Sequence, residues 1–272
     1  MNEDIEKILK CEKYDISALR EIMAILRSEN GCPWDREQTH KSIRQSLIEE
    51  TYEAVDAIDD DDPKLLCEEL GDVLLQVVFH ARIEEERGEF SLDDVIDGVS
   101  RKLVYRHPHV FGDKSAATSG EVLGIWEEAK KKEKTDRRSV TDTMRAVPRS
   151  LPALMRAQKI AGRAAKVGFD FESAAEAMTK ITEEVREVEE AIAEPENFDH
   201  IEEEIGDLLF AVTNVARLVG VDSETALGRA SEKFTSRFSE VESIAEKSGK
   251  QIKNMTNDEL FDARNAAKRK NN

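Results

Sequence analysis

Aromatic side chains are scarce in this chain: Phe, Trp and Tyr together make up 6% of its 272 residues. Strands draw on aromatic and β-branched residues, and no stretch here alternates apolar and polar positions as a strand would. Glycine (13) and proline (6) are also few, which fits a helical protein with short loops. The three cysteines, Cys11, Cys32 and Cys67, are odd in number and lack a CxxC spacing, the pattern of free thiols in a reducing compartment. No long apolar run is present: the block from Val73 to Phe79 is interrupted by Gln76 and is far too short to span a bilayer. The amino terminus, MNEDIEKILK, is acidic and has no apolar signal core. Positive charge is in deficit too, and a net charge of −18 excludes a general binder of nucleic acid or anionic membrane, which needs a basic surface. These absences predict a cytoplasmic protein with no membrane and no nucleic-acid partner. An anionic substrate stays compatible where metal ions and local Lys and Arg invert the field.

What the chain has in excess is acid, and the acid is patterned. The stretch EETYEAVDAIDDDDPKLLCEELGD sets Glu49, Glu50 and Glu53 on one run and Glu69 with Asp72 on the next. Positions three and four apart share a helix face. The second run continues as LGDVLLQVVFHA, residues 70–81, apolar nearly all the way round and therefore expected to be buried on most sides. At an effective dielectric of ~20, like charges ~4 Å apart repel by about 4 kcal/mol. Converging carboxylates there need protons or a hard cation with oxygen ligands. Gly71, inside the helix at a cost of about 1 kcal/mol relative to alanine, predicts close approach of a neighbour.

The pattern occurs twice. Residues 183–210, EEVREVEEAIAEPENFDHIEEEIGDLLF, place Glu183, Glu184 and Glu187 opposite the first group and Glu204 with Asp207 opposite the second, and Gly206 repeats Gly71. Two ordinary solvated faces have no reason to match in spacing, turn length and glycine placement, so the internal repeat indicates a site. A chain of this length accommodates two domains. The boundaries read as 1–134 and 149–272, with a linker at 135–148 in a stretch rich in Lys, Arg, Asp, Ser and Thr.

Further elements follow in order. A helical stripe over 16–30 ends at Asn30-Gly31. GCPWDREQTH reads as a compact loop in which Trp34 is either a core plug, the favoured reading, or a wall for a ligand, and helices follow at 41–58 and, from Asp62-Pro63, through the second acidic pair. A helix at 92–106 sets Lys102 and Arg106 four apart, and EVLGIWEEAKKKEK sets Trp126 and Lys130 four apart. In the second half, LPALMRAQKIAGRAAK corresponds to 16–30, and GFDFESA stands where CPWDREQ stood. Asp199 with Glu202 forms a capping box. Lys233 and Arg237 repeat Lys102 and Arg106, Arg264 and Lys268 stand opposite Trp126 and Lys130, and the tail RNAAKRKNN is frayed. Arg can stack on a nucleobase much as Trp does.

The familiar phosphate-loop, dinucleotide, zincin and nucleophile-elbow motifs are absent, and so are the paired Glu-x-x-His motifs of di-iron bundles. All-oxygen ligands suit Mg²⁺, with Mn²⁺ as a substitute. Beside two groups of cations they predict metal-assisted hydrolysis of a nucleotide anhydride. The acidic pairs, together with GCPWDREQTH, YRHPHVFGD and LPAL…KVGFDF, resemble the MazG-type nucleoside triphosphate pyrophosphohydrolases over nearly the whole chain, in their tandem-domain form.

That resemblance implies an all-α fold of two tandem helical domains whose four-helix-bundle cores are completed by homodimerisation. It implies Mg²⁺-dependent hydrolysis of NTP or dNTP, over a broad base range, to NMP and pyrophosphate by attack at the α-phosphorus. It assigns metal binding to Glu49, Glu50, Glu53, Glu69 and Asp72 and to Glu183, Glu184, Glu187, Glu204 and Asp207. The general base falls among Glu50, Glu53, Glu184 and Glu187. Substrate contacts fall to Lys102, Arg106, Trp126 and Lys130 and to Lys233, Arg237, Arg264 and Lys268, and the second half is expected to be the active one. A dUTP or dCTP specialist and a non-catalytic helical scaffold are the competing readings.

Overall fold

The structure, a computed structural model, describes residues 3–133 and 139–270. Among these residues it is all α-helix, without a strand, and the chain divides into two compact units, 1–135 and 136–272. The first unit carries α1 (Glu3–Leu9), α2 (Ile16–Arg27), α3 (Pro33–Glu37), α4 (Arg44–Asp59), α5 (Pro63–Arg87), α6 (Leu92–Arg106), α7 (Pro108–Phe111) and α8 (Ser119–Glu133). The second carries α9 (Val140–Arg145), α10 (Ala153–Ala165), α11 (Ala174–Ile192), α12 (Phe198–Leu218), α13 (Ser223–Lys247) and α14 (Asn257–Lys270).

In the first unit α4 and α5 form a helical hairpin, with α2 and α6 packed on α5 and α8 on α6. The hairpin turn is set by Asp62, whose side chain accepts from the amides of Lys64 and Leu65, both at 3.0 Å, with Pro63 at the first helical position. At the far end Gly88 caps α5 with φ of 76°, a left-handed conformation that only glycine adopts without strain. The core joins Met23, Ile43, Val78, Phe79, Ala81, Ile83 and Leu92. Each large side chain in it contributes about 1.5–3 kcal/mol by leaving water.

Above this core sits Arg27, whose guanidinium pairs with both oxygens of Glu86 (3.0 and 2.8 Å) and donates to the carbonyls of Asp35 and Gln38. It also lies over the Phe79 ring, 5.3 Å from its centroid. Arg27 thus staples the segment before α4 in place. Gly31 is needed there, because a Cβ would stand 2.2 Å from the Ile25 carbonyl oxygen.

The second unit repeats the hairpin with α11 and α12, against which α10 packs, and α10 also meets α9 and α13. A separate pairing of α13 with α14 buries Val241, Ala263 and Ala267.

Several expectations are corrected. The expected loop at Pro33–Glu37 is a short helix, and Trp34 is 62% exposed instead of in the core. The stretch read as linker contains α9, packed on α10 and followed by buried Val147; its residues 135–138 lie outside the described residues. A serine capping box at Ser139 and Asp142 starts that helix, a local signal that the polar composition concealed. The cap of α12 is Asn197, which accepts from the His200 amide, and Asp199 falls in the first turn. The tail is helical to Lys270. A Cβ added at Gly71 or at Gly206 would meet no atom within 4 Å, so among the described residues nothing approaches either glycine closely. Helix α5 is covered on one side only: Val78 and Phe79 are buried, while Leu70, Leu74 and Val77 are exposed.

Candidate active site

Helix α11 is fixed in rotation by Ser173, whose hydroxyl accepts from the Glu176 amide at 3.1 Å. Its small buried residues Ala177 and Ala191 let it lie close along α12. Three turns in from the cap, Glu184 lies towards α12, where a Glu-x-x-Asp spacing stacks Glu204 and Asp207 on one face. One carboxylate oxygen from each of Glu184, Glu204 and Asp207 lies within 4.8 Å of the others. The first unit brings Glu50, Glu69 and Asp72 together in the same way.

The remaining predicted acids are placed differently. Glu53 is close enough to Glu50 and Glu69 to raise both carboxyls and so adjoins the first trio. Glu49 is exposed and accepts from Gln45 at 3.2 Å, turned away from the trio. Glu183 pairs with Lys180 at 3.0 Å and lies outside the second trio. Glu187 stands a turn beyond Glu184 and feels both Glu184 and Glu204.

Electrostatics follow from this crowding. Desolvation, then the charges of Asp72, Glu53 and Glu69, hold the Glu50 carboxyl above its ordinary value of 4.5. Glu69 is raised by desolvation and by Glu53 and Asp72, and Glu187 by desolvation and by Glu184. Glu184 is 3% exposed; one of its oxygens accepts from Lys180 at 2.7 Å, and the other is buried without a hydrogen-bond partner. A buried acceptor left unpaired is costly. Three converging carboxylates with such an oxygen fit a hard divalent cation.

The second trio opens into a cavity of about 630 Å³ lined by Lys180, Glu184 and Asp207 on one side and by Phe169, Phe171 and Phe210 among its apolar residues. Lys180 was not anticipated from the sequence. Its signal was a lysine three and four residues before Glu183 and Glu184, where the first half has Ser46. His200 was missed too; its Nε2 lies 3.2 Å from Glu204 and its Nδ1 is buried without a partner. The same i,i+4 logic would have paired His200 with Glu204.

The cationic groups also assemble. In the first unit Arg106 and Lys130 flank the Trp126 ring, 5.3 and 5.2 Å from its centroid, with Lys102 exposed one turn earlier on α6. In the second, Lys233, Arg237, Arg264 and Lys268 line one cavity of about 420 Å³ between α13 and α14, together with Phe234 and Phe238. This cationic cavity and the acidic one share no lining residue.

The position of the second unit's acidic cavity is occupied differently in the first unit. Gln76 stands where Ala211 is, and it is buried with its carbonyl oxygen unpaired. His80 follows one turn later. Its Nδ1 is 2.7 Å from Nδ1 of His40, which contacts Glu84 through Nε2. Burial, then the neighbouring His40, lowers the His80 pKa below 6.5.

Comparisons with known proteins agree with this architecture. A family model described as the MazG nucleotide pyrophosphohydrolase domain matches twice, at residues 38–111 and 172–242, once over each acidic hairpin. A nucleoside triphosphate pyrophosphohydrolase of Escherichia coli strain K12 is 49% identical over 231 residues, 84% of this chain and 88% of its own length. The Thermotoga maritima protein named nucleoside triphosphate pyrophosphohydrolase/pyrophosphatase MazG is 46% identical over 228 residues, 84% of this chain and 86% of its own. An uncharacterized Bacillus subtilis protein, YabN, is 44% identical over 255 residues, 94% of this chain and 52% of its own.

Proposed function

We propose, for a chain that belongs to the MazG nucleotide pyrophosphohydrolase family, that it hydrolyses nucleoside triphosphates to the monophosphate and pyrophosphate with Mg²⁺ or Mn²⁺. The observation that carries this reading is the trio Glu184, Glu204 and Asp207, with the unpaired buried oxygen of Glu184, at the edge of a cavity large enough for a nucleotide. A divalent cation held by that trio supplies Lewis acidity at the phosphoryl group. The chain's own residues do the rest. Phe169, Phe171 and Phe210 offer faces on which a base of any identity stacks, which favours a broad base range. Lys233, Arg237, Arg264 and Lys268 line a separate cavity whose four cations suit a phosphate-bearing group.

Water attacks the α-phosphorus, the bond from that phosphorus to the bridging oxygen breaks, and pyrophosphate leaves. The proton released by water passes to Glu187, which stands one turn from Glu184 and whose raised proton affinity suits a general base. The second unit is the active one in this reading, since its trio adjoins the cavity. The exposed apolar residues of the hairpins, Leu70, Leu74 and Val77 in one and Ile205, Leu209 and Val212 in the other, favour a homodimer that covers them. No described helix is long and apolar enough to cross a membrane.

Product analysis tests the reading. Purified protein with Mg²⁺ and each common NTP and dNTP, resolved by ion exchange, is expected to yield NMP and pyrophosphate. NDP with orthophosphate overturns α-phosphorus attack, and no turnover with either Mg²⁺ or Mn²⁺ overturns the enzymatic reading. Confinement of turnover to dUTP or dCTP overturns the broad base range alone.

A further inference from the structure

One polar side chain in the acidic cavity of the second unit has a fixed orientation that the hydrolytic reading leaves unused. Asn214, on α12 two turns beyond Asp207, lines the cavity and is 9% exposed. Its Oδ1 accepts from Nε–H of Arg217 at 2.8 Å. Arginine can only donate, so this bond decides which end of the amide is which. The NH₂ end is left over, and among the described residues no acceptor pairs with it. That NH₂ group is reached by solvent at the wall of a mostly apolar cavity, where a bound molecule can supply an acceptor.

The support behind Asn214 is rigid. Arg217 extends past it to the Asp170 carboxylate, which also accepts from the Phe171 amide at 2.9 Å. That pairing ties the segment bearing Phe169 and Phe171 to α12, so the aromatic wall and the amide donor are positioned by one guanidinium. The first unit has no such group among the described residues. Phe79 occupies the register of Asn214 and is buried under Arg27, while Arg82, in the register of Arg217, pairs with Glu85 and Glu86.

We propose that the Asn214 NH₂ group donates to an acceptor on the edge of the substrate's nucleobase, a carbonyl oxygen or ring nitrogen, and that Arg217 and Asp170 position it to do so. The inference rests on the hydrolytic reading above. Every common base carries such an acceptor, so the contact anchors a base as a base and leaves the range of accepted bases wide. Shape alone, by contrast, is read by the phenylalanines.

The test compares dTTP with its difluorotoluene analogue, which keeps the shape of thymine and lacks its strong acceptors. The corresponding purine pair, dATP and its 4-methylindole analogue, which lacks every ring-nitrogen acceptor, serves if the wild type prefers purines. Asn214→Ala is expected to lower kcat/KM for the natural nucleotide about tenfold, the worth of one net hydrogen bond, through KM, and to change the analogue less than about twofold. Asn214→Asp keeps the size of the side chain and the bond from Arg217 but removes the donor. It is expected to give the same pattern, which covers failure of the alanine variant to fold. Equal losses for nucleotide and analogue, or no loss for either, overturn the proposal. A wild type that releases no monophosphate and pyrophosphate from either natural nucleotide overturns the hydrolytic reading itself.

Discussion

The two halves carry the same acidic hairpin and differ in what surrounds it. In the second unit Lys180 pairs with Glu184 one turn along α11, Glu184 and Asp207 of the trio line an open cavity, and an Asn–Arg–Asp chain holds that cavity's wall. In the first unit Ser46 stands in the register of the lysine, and Gln76, Phe79 and the His80–His40–Glu84 chain stand beside the corresponding hairpin. A shared ligand spacing is therefore compatible with unequal roles. Whether carboxylates form a reaction site depends on what stands beside them, and in the first half that includes buried Gln76 and Phe79.

The largest effect that tests this contrast is on turnover. Glu184→Gln removes a ligand from the trio beside the cavity and is expected to reduce kcat by a factor on the order of 10²–10³, as loss of a key electrostatic group does. Glu50→Gln is expected to change it less than about threefold. Steady-state pyrophosphate release measures both, and a reversed pattern would move the active site to the first unit.

A smaller effect separates the trios by stability. Glu50 has a raised folded pKa, so its ionised form is disfavoured by folding above pH 4.5 and the penalty fades as the pH falls through that range. Glu50→Gln is expected to raise the Tm of the metal-free protein at pH 7 by on the order of 1–2 °C, a modest shift for an exposed group, and to shrink the increase produced by added Mg²⁺. Glu184→Gln is expected to act with the opposite sign, because it strips Lys180 of a buried partner. Thermal melts with and without Mg²⁺ decide it, and a rise in both variants would deny Lys180 the role of counter-ion.

The subtlest difference is in pH response. His80 has a lowered folded pKa, so the unfolded chain takes up its proton first, and the stability contributed by neutral His80 is lost as the pH drops below about 6.5. His80→Val, the residue of the repeat at Val215, is expected to flatten the decline of stability between about pH 7 and 5. Denaturant titrations at several pH values would show it, and an unchanged slope would place the lost protons elsewhere.

Local chemistry made much of this legible. Asp62-Pro63 marked the start of α5, and the period of apolar residues gave α2, α4, α6 and α10 to within a few residues. Glu-x-x-Asp placed two carboxylates on one face wherever that helix lay. Lys233, Arg237, Arg264 and Lys268 do converge, as their repeated spacing indicated. What failed was anything that depended on a neighbour. Trp34 lies on the surface because Arg27 anchors its segment through backbone carbonyls and leaves the indole no interior to fill. Glu49 and Glu183 share a motif with the trio residues but fall outside the trios, since adjacent helical positions differ by about 100° in direction.

The sequence by itself determined that the chain is helical, that it is a tandem repeat, and which carboxylates are available to a cation, because these follow from periodicity, capping residues and spacing along one helix. Only the tertiary structure decided which carboxylate of each group joins the trio, what lines the cavity beside Glu184, and that a guanidinium fixes the amide of Asn214. Those outcomes depend on how side chains from separate helices fill a common volume, and no interval along a single helix encodes that.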